Sequence, residues 1–146
     1  MPILIDTNVA SEFMRPRNKV NDNVWTWFND TDLSTVRLCR IVDAEVKFGA
    51  YAHRDAVQMS RLVAGWEKLV ARFEMLEYSP AAAENTARLR ALERRRGRQV
   101  SFPDAAIAGI ALANNCALAT RNTKDFEGSD LILINPFEPS PGEKSP

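Results

Sequence analysis

The sequence is poor in the residues that soft-metal and nucleophilic sites use. It has one histidine, His53, and two cysteines, Cys39 and Cys116, with no Cys-x-x-Cys spacing. A His-rich zinc site is therefore excluded. A disulfide framework is not needed either, because a chain of 146 residues buries roughly 70% of the surface its unfolded form exposes. Both cysteines lie in apolar stretches and are expected to be buried free thiols in a reducing compartment. No Ser-His-Asp set is present, since His53 follows no nucleophile motif. No segment approaches the roughly 20 apolar residues of a membrane helix, and no basic region precedes an apolar run at the N-terminus as in a signal peptide. These absences lead us to expect a cytoplasmic protein without a membrane partner. Neither sign of charge dominates: 19 basic residues stand against 19 acidic ones. That balance argues against a generally polycationic nucleic-acid binder but leaves room for a local basic patch.

What is present fits one domain. Ile3-Leu4-Ile5 reads as a buried strand ended by the polar turn Asp6-Thr7-Asn8. A short helix is expected from Val9 to Met14, and another carrying Val24, Trp25, Trp27 and Phe28 after the N-caps of 21–23. Trp25, Trp27 and Phe28 cannot all face one way, because residues two apart on a helix lie about 200° apart. Strands are expected over 34–39, 73–78, 116–120 and 131–134. Helices are expected over 41–51, 55–72, 80–96 and 101–114, the last apolar enough to be buried on most sides. Short apolar strands alternating with helices imply an α/β fold, with a mostly parallel five-stranded sheet covered on both faces. Ligands of such folds bind outside the carboxyl ends of the strands. Four of the eight prolines fall in 136–146, so a domain over 1–137 is expected, followed by a flexible Pro-rich tail over 138–146.

Carboxylates recur where this topology meets its crevice. Asp6 directly follows the first strand. Glu45 lies about two turns into the helix after the second strand. Asp104 opens the apolar helix and is the only charged side chain from Ser101 through Leu118. Asn122 and Asp125 occupy the loop after the fourth strand. Each has an ordinary explanation: Asp6 as a helix cap, Asp104 in a capping box with Ser101, Glu45 as a solvated helix residue, and the loop residues as turn formers. Together they form one set that the sheet can gather at a single edge. Close carboxylates repel unless a cation lies between them. Oxygen ligands without His or Cys favour Mg²⁺ or Mn²⁺, and such a centre can polarise a phosphodiester and lower the pKa of a bound water.

Four segments in order, Ile3-Leu4-Ile5-Asp6-Thr7-Asn8-Val9, Ala44-Glu45-Val46-x-Phe48-Gly49, Pro103-Asp104-Ala105-x-Ile107-Ala108 and Ala119-Thr120-Arg121-Asn122-x-x-Asp125-Phe126, resemble the PIN-domain ribonucleases. More narrowly they resemble the VapC toxins of type II toxin–antitoxin pairs, including the FitB-like branch. The resemblance implies a three-layer α/β/α fold, a Mg²⁺- or Mn²⁺-dependent endoribonuclease, a homodimer and a VapB-type antitoxin partner. It implies Asp6 and Asp104 as direct metal ligands and Glu45 as a water-mediated ligand or water-orienting group; the fourth position is left between Asn122 and Asp125, with Asp125 as the available acid. Asn122 stands where some relatives carry Asp. Thr7, Asn8, Thr120, Arg121 and Asn122 are the residues expected to meet the RNA substrate. Relatives often have Ser at the Cys39 position and Thr at the Val42 position. Asp43 is an additional acid, expected to face solvent.

The segment from Arg88 to Arg98 holds six arginines and one glutamate. It reads as an RNA-contacting patch, a solvated helix face or an antitoxin-docking surface. A haloacid-dehalogenase-like phosphatase also begins with strand-Asp, but it expects a second Asp where Asn8 stands. A catalytically weak or inactive PIN-type interaction module is the alternative to a nuclease, although such a module would ordinarily have lost some of these acids.

Overall fold

A computed structural model describes residues 1–139. The chain runs β1 (Ile3–Ile5), α1 (Thr7–Glu12), α2 (Asp22–Asp30), β2 (Val36–Cys39), α3 (Arg40–Tyr51), α4 (Ala56–Val70), β3 (Glu74–Leu76), α5 (Pro80–Arg95), α6 (Phe102–Ala113), β4 (Ala117–Ala119) and β5 (Leu133–Ile134). The strands form one sheet in the order β3-β2-β1-β4-β5. Every pairing is parallel, where a mostly parallel sheet was expected. Of the tail expected over 138–146, residues 140–146 lie outside the described residues. Among the described residues no helix is long and apolar enough to cross a membrane.

Local chemistry sets the helix starts. Asn21 accepts hydrogen bonds from the N–H groups of Asn23 and Val24, Asp55 from those of Val57 and Gln58, and Ser79 from that of Ala82 ahead of Pro80. Each satisfies donors that a helix N-terminus leaves unpaired. Helix α1 begins at Thr7 rather than Val9, because Asp6 caps it directly. Strand β2 begins at Val36 rather than Ser34, because Asp32 accepts from the Ser34 N–H and bends 33–35 into a 3-10 turn. Gly97, at φ +74°, ends α5 and lets the Arg98 N–H return to the Glu93 carbonyl at 2.9 Å.

The core lies on both faces of β1, β2 and β4. Leu4, Ile5, Leu38, Leu118 and Ala119 are fully buried. Helix α6 buries every residue from Ala105 to Ala111, as its composition predicts. It packs so closely on α5 that a Cβ at Gly109 would lie 2.5 Å from Thr86 Oγ1 and 2.6 Å from the Ala82 carbonyl oxygen. The aromatics of α2 diverge as expected: Trp27 packs on the core, Phe28 meets Phe13 at 3.9 Å between centroids, and Trp25 lies under the Arg17 guanidinium.

Asp43 does not face solvent. It is buried, and its carboxylate accepts from Trp66 Nε1 at 2.8 Å and from Arg40 Nη1 at 3.2 Å, with Lys47 Nζ at 3.3 Å. Burial works against its charge, but the Trp66 N–H and the two cations outweigh it and hold the carboxyl below its ordinary value. This network ties the back of α3 to α4, on the side of α3 away from Glu45.

Candidate active site

Strand β1 is the centre of the sheet, with β2 on one side and β4 on the other. The chain order reverses there, and the carboxyl ends of these three strands are where sheets of this kind bind ligands. Asp6 is the first residue past β1 and is 5% exposed. Its backbone N–H still bonds the Ala119 carbonyl of β4 at 2.9 Å, which fixes where the side chain starts. Its two oxygens are held separately: Oδ1 accepts from the Thr7 N–H at 2.6 Å, and Oδ2 accepts from Thr120 Oγ1 at 2.7 Å. Asp6 therefore caps a helix with one oxygen and leaves the other to Thr120.

Two further acids bear on Asp6. Thr7 Oγ1 donates to Glu45 Oε1 at 2.6 Å, which brings α3 to the end of β1. Asp104, half-buried at the start of α6, is near enough to act on the charge of Asp6. Burial pushes the Asp6 carboxyl above its ordinary value. The Thr120 and Thr7 hydrogen bonds pull the other way, and Asp104 and Glu45 add to the rise. Ser101 caps α6 by accepting from the Asp104 N–H at 3.2 Å. Among the described residues the Asp104 carboxylate makes no return bond to Ser101, so only half of the expected capping box forms.

The other sequence-derived residues divide. Thr120 is fully buried, and its hydroxyl is committed to Asp6 while accepting from the Asn122 N–H at 3.1 Å. It orients Asp6 from beneath and presents no surface outward. Asn8 and Asn122 are half-buried. Arg121 is exposed, with its guanidinium 3.8 Å from the Phe137 ring centroid. Asp125 is exposed on the 3-10 turn 123–126 and is not among the charges acting on Asp6. Cys39, at the end of β2, also borders the site. Burial pushes its thiol up to about 11, and Asp6 and Glu45 add to that, so it is no nucleophile. Cys39 and Cys116 are buried free thiols, as expected.

The donor set suits a hard divalent cation in kind: carboxylates and hydroxyls, with no ion pair to Asp6, Glu45 or Asp104 among the described residues. No three acidic, His or Cys side chains among the described residues are gathered tightly enough to enclose a metal by themselves. Mg²⁺ commonly takes only one or two direct carboxylates and keeps its waters, so the open arrangement fits it.

The PIN domain model matches residues 3–128. The chain belongs to the PIN-domain family. This PIN domain is 37% identical over 139 residues to the plasmid stability protein StbB of Pseudomonas syringae pv. tomato, covering 93% of this chain and 99% of that one. It is 31% identical to the VapC ribonuclease Y4jK of Sinorhizobium fredii, covering 94% and 99%. Among solved structures it matches FitAcB from Neisseria gonorrhoeae with a TM-score of 0.84 at 29% identity, over 93% of this chain and 99% of that one. The VapC and FitB toxins are thus the relatives of this PIN domain, and its all-parallel five-stranded α/β fold is theirs.

Thr120→Val should leave the PIN fold intact and reduce nuclease turnover by about tenfold or more, since a carboxylate oxygen loses a buried hydrogen bond worth about 1–3 kcal/mol. Thr120→Ser should restore the rate. Equal rates for Val and wild type would show that Thr120 does not orient Asp6.

Proposed function

We propose that this PIN domain is the toxin of a type II toxin–antitoxin pair, a Mg²⁺- or Mn²⁺-dependent endoribonuclease that hydrolyses internal RNA phosphodiester bonds. The observation that carries this is Asp6: a buried carboxylate at the end of the central strand, raised in pKa, held by two hydrogen bonds and flanked by Glu45 and Asp104 with no protein cation. A buried carboxylate on which two further acids bear, without a counter-charge, suits a cation from solution. Relatives named as ribonucleases and solved toxin–antitoxin complexes support the same assignment.

Asp6 and Asp104 would hold the metal, and Glu45 would bind through water or orient the attacking water. When bound, the metal supplies polarisation of the phosphodiester and a lowered pKa for its water. Thr7 and Thr120 fix the carboxylate oxygens before substrate arrives, which limits reorganisation during reaction. Glu45, half-buried and hydrogen-bonded to Thr7, would accept the proton of the attacking water. Asn8, Asn122 and Arg121 would meet the RNA at the rim. Asp125 is the candidate fourth acid, more weakly coupled than the others. A homodimer and a VapB-type antitoxin partner complete the proposal.

Isothermal titration of Mn²⁺ into the antitoxin-free protein tests it. Binding is expected for wild type, lost in Asp104→Asn and largely kept in Asp125→Asn, with RNA cleavage following the same order. Folded Asp104→Asn that cleaves at the wild-type rate would sink the site assignment. The open placement of the acids favours the alternative, an inactive interaction module, only if wild type binds no Mn²⁺ either alone or with RNA present.

A further inference from the structure

A groove of about 800 Å³ is lined by Arg90, Arg94, Arg98, Gln99 and Ser101, the last being the cap of the helix that carries Asp104. Its arginines are not equivalent. Arg88 is held by Glu84 at 2.9 Å, outside the groove, and Arg96 and Arg98 lean on the buried Glu93 at 3.5 Å and 2.9 Å. Arg90 and Arg94 have no acidic partner among the described residues. They are four apart on α5, so they share a face, and both are exposed.

An aromatic pair adjoins this groove through Arg90. Phe102, the first residue of α6, is 47% exposed, and Tyr78, just before the α5 cap, is 36% exposed. Their centroids are 6.2 Å apart with the rings tilted, and the Arg90 guanidinium lies 5.8 Å from the Phe102 centroid. Ser101, the α6 cap, lines the groove and binds the Asp104 N–H. Two unpaired guanidinium groups therefore run along α5 to a partly exposed aromatic pair at the start of α6, the helix that carries Asp104.

We propose that this groove binds a single-stranded RNA segment on one side of the cleaved bond. Arg90 and Arg94 contact phosphates, and Phe102 and Tyr78 stack on bases. The inference rests on the nuclease assignment above. Both halves of the surface are needed to choose the occupant. An acidic peptide would satisfy the arginines but would leave the rings without a stacking partner. A duplex would present phosphates while its bases stayed stacked on each other. A single strand satisfies phosphate-binding cations and base-stacking rings together.

The test is anisotropy of a short, unstructured, fluorescein-labelled RNA with the full-length protein in EDTA, where cleavage is off, across a range of salt. Arg90→Ala/Arg94→Ala should weaken binding and make the salt slope shallower by about 1.4. Phe102→Leu and Tyr78→Leu should each lower affinity by about tenfold. Arg88→Ala should bind as wild type, because its charge is already committed to Glu84. A matched duplex should bind more weakly than the single strand. Wild-type RNA affinity in both the arginine and the Phe102 variants would overturn the proposal, as would equal affinity for duplex. So would RNA binding that survives in Arg90→Ala/Arg94→Ala while a co-expressed antitoxin no longer co-purifies, since the groove would then be a protein interface. Mn²⁺-dependent cleavage by wild type separates the two levels. Cleavage with a silent groove sinks only the groove, whereas no Mn²⁺ binding and no cleavage sinks the nuclease assignment.

Discussion

Asp6→Asn is expected to abolish cleavage and yet to raise the melting temperature of the metal-free protein by a few degrees at neutral pH. Asparagine is nearly isosteric and can still accept from the Thr7 N–H, while its amide can donate to Thr120 Oγ1 in place of the reverse bond. What it removes is the charge. Burial raises the folded-state pKa of Asp6, so the ionised form is disfavoured in the fold relative to the unfolded chain, where Asp titrates near about 3.9. The contribution of Asp6 to stability is therefore fully present below the unfolded pKa and lost as pH rises through the folded one. The advantage of Asn should be largest near neutrality, shrink as pH falls, and vanish below about 3.9. Saturating Mn²⁺ should reverse the ranking, because a cation that binds only the folded wild type adds about 2.7 kcal/mol at a hundredfold excess over its Kd. Melting curves in EDTA and in Mn²⁺, at several pH values, check both signs. A variant less stable than wild type at neutral pH in EDTA would mean that hydrogen bonding, not desolvation, governs Asp6.

Gly109→Ala is expected to be the most damaging alanine substitution among the described helical glycines, costing about 3 kcal/mol, at the upper end for overpacking. The new methyl would meet Thr86 Oγ1 at 2.5 Å and the Ala82 carbonyl oxygen at 2.6 Å. Neither neighbour yields easily. Ala82 O is backbone, and Thr86 Oγ1 already donates to it at 2.7 Å in a buried site. The Asn85 amide also bonds the Gly109 carbonyl at 3.2 Å, tying the two helices at the same level. Relief requires α5 and α6 to part, which displaces Asp104 on one helix and Arg90 on the other. Urea unfolding should show a lower midpoint with an unchanged slope, and cleavage should fall as well. Gly49→Ala is the internal control: nothing lies within 4 Å of its new Cβ, so it should stabilise by about 0.5–1 kcal/mol. Similar effects at both positions would show that helix propensity, not contact, decides.

Much of this was legible in the residues. The strands stand out as short β-branched or apolar runs closed by polar turns, and Asp6, Glu45 and Asp104 fall where an α/β sheet opens. Strand order was not legible, because crossovers decide it and their residues do not encode which side the chain returns to. Competing explanations of one residue were not exclusive either: Asp6 gives one oxygen to the helix and the other to Thr120. Asp43 looked solvated because its buried donor, Trp66, is supplied 23 residues away by α4. A hydroxyl at a strand end, such as Thr120, carries no sign in the sequence of which way it points. The pairing of Arg88 with Glu84 and of Arg98 with Glu93 likewise divides a uniform arginine run into committed and free groups.

The hydrogen bond between Thr120 and Asp6 spans 114 positions of the chain, and β1 has β4 as one of its two neighbours. While the chain is being synthesised, its first strand and first site carboxylate emerge early but lack half of their support until residues 117–120 leave the ribosome. A nascent or truncated chain that stops before β4 leaves Asp6 without its hydroxyl partner and β1 as an open edge. The surroundings of Asp6 are thereby completed only when β4 joins the sheet, so the two ends of the domain depend on each other for one carboxylate.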